Sequence, residues 1–283
     1  MKSIDEIAAH ASSVFVLPEA VTHLKACMDD GTASMDDIAE IIAFDPALSA
    51  QLLKVANSAM YKFPNRIDTI SRALQVIGTR AAYDLALAYG VTNAFKDVHG
   101  KVIDIDRFWE QSISCGLLAK YIGEYQKHRE AERLFVVGLL HNIGELVIVA
   151  QYPQLAQRCV AYNAKVKPAE LQQALCGFTY AQLSASLIKE WGIPPTVWQP
   201  VAQIHASDSS LSPDVDVQIA QLAYVLALDN INPDLYGNST TQYVHLHEAL
   251  GFGYEEIEDA LDITNLQCLN VMSLFNPNAF MLY

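Results

Sequence analysis

Apolar residues spaced three and four apart, in segment after segment, restrict this chain to a helical architecture. Ser34 with Asp37 three residues on reads as a capping box, followed by Ile38, Ile41 and Ile42 on one face. Asp45-Pro46 is a strong helix start, because Asp caps free amides and Pro in the first turn forfeits no hydrogen bond. Leu48, Leu52, Leu53 and Ala56 continue that stripe to Asn57. Ile70, Leu74 and Ile77 predict a helix closed by a left-handed Gly78. Further helices are expected over Thr79–Phe95, Phe108–Tyr125, Ala131–Ala150, Tyr180–Trp191, Pro195–His205 and Val217–Leu228. No pair of strands is apparent, so the expected fold class is all-α.

Polar breaks divide the pattern. Asp97-Val98-His99-Gly100-Lys101 separates an N-terminal helical subdomain, 1–100, from a helical bundle, 101–230. Asn230-Ile231-Asn232-Pro233 and Asn238-Ser239-Thr240-Thr241 read as loops before an extension, 231–283, carrying a helical hairpin over Leu246–Leu274. Ala206-Ser207-Asp208-Ser209-Ser210 reads as a further loop. A formal net charge of -14 argues against a nucleic-acid footprint and against an anionic membrane surface. The start, Met1-Lys2-Ser3-Ile4-Asp5-Glu6, lacks the basic and apolar regions of an export signal, and the apolar run Leu134–Leu140 is too short to span a bilayer. Cys27, Cys115, Cys159, Cys176 and Cys268 form no CxxC pair. Together these features lead to the expectation of a cytoplasmic protein with reduced, buried thiols.

The segment Leu139-Leu140-His141-Asn142-Ile143-Gly144-Glu145-Leu146 resembles the metal-binding helix of HD-type phosphohydrolases, with Asn142 where the paired aspartate would stand. Two longer blocks narrow the resemblance. Asp45-Pro46-Ala47-Leu48-Ser49 leads through Leu52-Leu53 and Ala56-Asn57-Ser58-Ala59-Met60-Tyr61 to Ile67-Asp68-Thr69-Ile70-Ser71-Arg72-Ala73-Leu74 and Ile77-Gly78. Phe108-Trp109, Gly138-Leu139-Leu140-His141, Gly177-Phe178 and Trp191-Gly192-Ile193-Pro194 then follow, up to the helix ending at His205. From about Val14 to Asn230 the chain resembles the HDOD family, HD-related output domains of bacterial signalling proteins. The resemblance implies an all-helical fold, two helical subdomains with an HD-like bundle as the second, and a role in signal transduction. It also implies a four-residue metal locus. In this chain Gln111 stands at the first histidine, His141 is retained, Asn142 replaces the paired aspartate and Tyr224 replaces the last one. Tyr180 occupies a place where related proteins often carry a further histidine.

A catalytic metal needs anionic or imidazole ligands that converge and acidify a bound water. Gln111, His141, Asn142 and Tyr224 supply no carboxylate, and asparagine is a neutral, poor bridge between cations. No metal or other cofactor is expected; His141 is the one weak candidate ligand, and Glu145 shares its helix face at i+4. No Gly-rich phosphate loop or nucleophile-His-acid arrangement is evident. Asn57 and Ser58 are candidates either for capping a helix end or for lining a ligand site, with capping favoured. Arg66, Arg72 and Arg80 form a loose basic group suited to a phosphate or an acidic partner, although surface pairs of this kind contribute little. Trp191 and Trp198 flank a Pro-rich turn as core or docking residues.

The expectation is a non-catalytic regulatory module that binds a signalling protein or small ligand in the groove between its subdomains. Asn57, Ser58, Arg72, Glu145, Tyr180 and His205 are the candidate contacts. The rival is a metal-dependent phosphohydrolase of a nucleotide or cyclic dinucleotide with unusual ligands. A third reading is a dimer completed by the C-terminal hairpin. The sequence leaves the oligomeric state open.

Overall fold

The helix starts are built as their sequences require. Ser34 and Asp37 form the reciprocal capping box. Asp45 accepts from the amides of Ala47 and Leu48 at 2.9 and 3.0 Å, with Pro46 as the first helical residue. A cap of this kind is worth about 1 kcal/mol. The computed structural model describes residues 2–31, 33–58, 61, 63–98, 102–163, 166–205, 211–233 and 243–275, without the side chains of 273–275. Among them the fold is all-helical; the only extended pairing is an isolated bridge between Asn163 and Val166.

The chain forms two compact units. The smaller comprises residues 16–96 and 266–283. It holds α2 (Glu19–Asp30), α3 (Met35–Phe44), α4 (Pro46–Ala56), α5 (Ile70–Ile77) and α6 (Thr79–Ala94). Helix α6 packs against α2, α4 and α5, burying Ala82, Leu85, Leu87 and Val91. Gly78 has positive φ, +87°, but a ψ of 152°. It is therefore an extended hinge joining α5 directly to α6, rather than the left-handed cap expected.

The larger unit comprises residues 1–15 and 97–265. It contains α1 (Ile4–Val14), α7 (Ile105–Tyr125), α8 (Ala131–Leu140), α9 (Ile143–Gln151), α10 (Pro153–Cys159) and α11 (Pro168–Cys176). Helices α12 (Tyr180–Glu190), α13 (Pro195–Gln203), α14 (Val215–Ile231) and α15 (Val244–Leu250) follow, and the division between units falls within α16 (Tyr254–Phe275). These units apportion the chain differently from divisions at 100 and 230. The first fifteen residues belong with the bundle because Ile7, Ala8 and Ala11 of α1 are buried and α1 packs along α12. The extension is divided: residues up to 265 join the larger unit, with α15 in contact with α14, and 266–283 belong to the smaller one.

Three expectations about elements are corrected. Ala131–Ala150 is two helices, broken at His141-Asn142. Residues Asn230 and Ile231 are helical, because Asp214 caps α14 and its buried stripe carries the helix through Leu228. Helices α1, α2, α10 and α11 were not distinguished in the sequence. The loop 206–210, the break at His99–Lys101 and the polar segment 238–241 lie outside the described residues. Ala131–Gln151, 21 residues counted through the break, is long and apolar enough to cross a membrane, but 78% of its most apolar window is buried inside the protein. That stretch is a core element of the bundle.

Candidate functional site

Two close backbone approaches place the His141-Asn142 break. A Cβ on Gly138 would sit 2.6 Å from the Gly116 backbone, so α8 crosses α7 with nothing between them. On the other side, Gly144 lies against the Tyr180 carbonyl, and its amide donates to Ser184 Oγ at 2.8 Å. The pattern glycine, two residues, His-Asn, one residue, glycine thus pins α8 to α7 and α9 to α12.

His141 is fully buried, and its Nδ1 lies 2.6 Å from the Gly138 carbonyl oxygen. That pairing puts the proton on Nδ1 and leaves the Nε2 lone pair inward, with no hydrogen-bond partner among the described residues. The Tyr224 ring stands edge-on to His141, centroids 5.4 Å apart, and to His205 at 4.5 Å. Both His205 ring nitrogens are buried and unpartnered among the described residues. Burial holds His141 down at about 4, opposed by the Gly138 hydrogen bond. Burial, and then the neighbouring His141, holds His205 at about 3. Both imidazoles are neutral at pH 7.

Asn142 takes no part in that group of rings. Its Nδ2 donates to Glu145 Oε2, one turn along α9. Glu145 is half-buried, and desolvation pushes its carboxyl up to about 7 despite the Asn142 hydrogen bond. Tyr162 and Tyr180 feel the Glu145 charge, and the Tyr180 hydroxyl also lies against Cys159. Tyr180 is 1% exposed and is held by its amide, which donates to Gln172 Oε1 at 2.8 Å.

The structure therefore brings His141, Tyr224 and His205 together, and separately Asn142, Glu145 and Tyr180. Gln111 is half-buried on α7. Asn57 is a staple: its Nδ2 donates to the Leu53 and Ile67 carbonyls, both at 2.7 Å, and its Oδ1 accepts from the Ile67 amide at 2.8 Å. Ser58 donates to the Val55 carbonyl at 2.7 Å. Arg72 is exposed and reaches Gln75, whereas Arg80 pairs with buried Asp84 and covers Tyr83. Trp191 donates to the Phe15 carbonyl at 3.1 Å, tying α12 to the end of α1.

Sequence reasoning missed the buried ion pair of Asp216 with Arg133 at 2.6 Å, beside which half-buried His128 Nε2 lies 3.0 Å from the other Asp216 carboxylate oxygen. It clamps the starts of α8 and α14, and the separation of 83 positions between Arg133 and Asp216 leaves no local signal.

The donor set does not fit an HD-type metal centre. Two neutral imidazoles face an aromatic ring, the asparagine amide is turned to Glu145, and no three His, Cys, Asp or Glu side chains converge among the described residues. The fold is that of an all-helical, HD-related domain, and this locus lacks the ligand set of an HD-type metal site. The HDOD domain family matches residues 14–207, and the chain belongs to that family. A Treponema pallidum (strain Nichols) protein of uncharacterised function is 25% identical over 197 residues, 68% of this chain and 37% of its own length. An HDOD domain protein of unknown function from Geobacter sulfurreducens has the same fold, with a TM-score of 0.70, 17% identity and 98% of each chain covered. A Shewanella amazonensis SB2B protein named as a candidate phosphohydrolase superposes with a TM-score of 0.72 at 22% identity, over 95% of this chain and 97% of that one.

Proposed function

We propose that this chain is a non-catalytic signalling module, cytoplasmic, which acts by binding a protein partner or a small signalling ligand. One observation carries the reading: at the HD-type locus, the retained His141 faces Tyr224 and His205, while Asn142 pairs with Glu145. A hydrolytic metal requires anionic ligands to hold the ion and stabilise bound hydroxide. Here the Glu145 carboxyl is raised toward neutrality and engaged by the Asn142 amide. Such a locus serves a bundle as packing and leaves its surfaces to do the signalling. Half-buried Glu145 and His205 and exposed Arg72 remain candidate contacts, whereas Tyr180, 1% exposed, is packed in the core.

Elemental analysis after incubation with iron, manganese and zinc, then removal of loose ions, tests the proposal. The expected content is below about a tenth of an equivalent, since weak sites empty on washing. One or two equivalents, lost in His141→Ala, would overturn it and restore the phosphohydrolase reading.

A further inference from the structure

Cys159 and Cys176 are the last residues of α10 and α11, and their sulfurs lie 3.8 Å apart. Both side chains are nearly closed off, at 3% and 9% exposure. Each neighbour holds the pair in place. The Tyr180 hydroxyl lies against Cys159, Gln172 fixes the Tyr180 amide, and Gly177 ends α11 immediately after Cys176. Two thiols in contact from separate helices differ from three scattered ones. Cys115 is sealed within α7, while Cys27 and Cys268 lie on α2 and α16.

We propose that Cys159 and Cys176 form a reversible intramolecular disulfide under oxidation by a hydroperoxide. A bonded pair of sulfurs lies about 2.05 Å apart, so closure brings them together by less than 2 Å, within reach of side-chain rotation and a small helix adjustment. Cys176, the more exposed, attacks as the thiolate. Its sulfur bonds to one peroxide oxygen, the O–O bond breaks, and the departing oxygen leaves as water or an alcohol, giving a sulfenic acid. Cys159 then gives up its proton and attacks that sulfur. The S–S bond forms, the S–O bond breaks, and a second water leaves. Two thiols lose two electrons, and the peroxide gains them.

Burial, reinforced by the Cys159 sulfur, pushes the Cys176 thiol up to about 12. Thiolate is accordingly scarce at neutral pH, and oxidation there is slow. Closure alters the Cys159 sulfur that the Tyr180 hydroxyl lies against, and Tyr180 in turn feels the charge of Glu145. The modification thus reaches the Asn142–Glu145 half of the locus, and it does so whether or not the module is catalytic.

The experiment treats the folded, full-length protein at low concentration with hydrogen peroxide. Remaining thiols are then alkylated under denaturing conditions, and the digest is analysed by mass spectrometry. The expected product is one cross-linked peptide pair joining Cys159 to Cys176, two hydrogens lighter than the dithiol and lost on reduction. Half-buried Cys27 reports that oxidant was sufficient. If Cys159 and Cys176 are both alkylated once Cys27 is oxidised, the proposal fails. It fails equally if Cys176 advances to sulfinic acid without a bridge, or if the bridge joins another pair.

Discussion

Protonation at single side chains sets the acid stability of this bundle. His141 has a folded pKa of about 4 against 6.5 in the unfolded chain, and His205 one of about 3. Between those limits the unfolded histidines take up protons that the native ones refuse, so stability falls as pH drops below about 6.5. His141 alone accounts for about 3 kcal/mol of that loss at the acid limit. Glu145 works in the opposite direction. Its folded pKa of about 7 lies above the unfolded 4.5, so its contribution is fully present below 4.5 and is lost as pH rises through 7. Melting temperatures of wild type and Glu145→Gln across pH 4–9 separate the two effects. The variant is expected to be the more stable protein above pH 7 and to lose that advantage below pH 4.5, with the acid-side decline retained in both. A variant no more stable at pH 8 would show that Glu145 is already ionised at little cost.

Among the helices, the crossing of α7 and α8 is one of two close backbone approaches that flank the locus. A methyl group at Gly138 would meet the Cys115 carbonyl and the Gly116 backbone, all at 2.6 Å. Backbone cannot rotate aside as a side chain can, so the helices must separate and the contacts beside them loosen. Gly138→Ala is expected to cost about 2–3 kcal/mol in urea unfolding. It should also disturb His141, whose Nδ1 is bound to the Gly138 carbonyl. A cost under about 0.5 kcal/mol would mean that the crossing is looser than described. Gly123→Ala is a fair comparison, because its nearest neighbour is the mobile end of the Leu134 side chain.

For the chain as a whole, the family match begins at residue 14, yet the larger unit begins earlier. Helix α1 supplies Ile7, Ala8 and Ala11 to the face packed on α12, and Trp191 donates to the Phe15 carbonyl. Removing residues 2–13 exposes that face, and the Ile7 side chain alone is worth about 1.5–3 kcal/mol of burial. The truncated protein is expected to melt well below the full chain and to show altered near-ultraviolet dichroism from Trp191. Unchanged melting would mean that α1 is an appendage rather than part of the bundle.

The all-helical class, the caps at Ser34 and Asp45 and the ends of α4 and α5 were legible because each rests on residues within one turn of one another. The uncharged side chains at Asn142 and Tyr224 can be read from residue type alone, but what they face cannot. The break at His141-Asn142 was not, because the apolar pattern runs straight through it and close packing at Gly138 and Gly144 redirects the chain there. Nor could local pattern place His205 beside His141 from so distant a part of the chain, or bring Cys159 against Cys176 from another helix. Periodicity and capping act over a few residues, and so they are written in the order of the chain. Ring contacts, buried charge and thiol pairing arise where distant helices meet, and only folding brings those residues together.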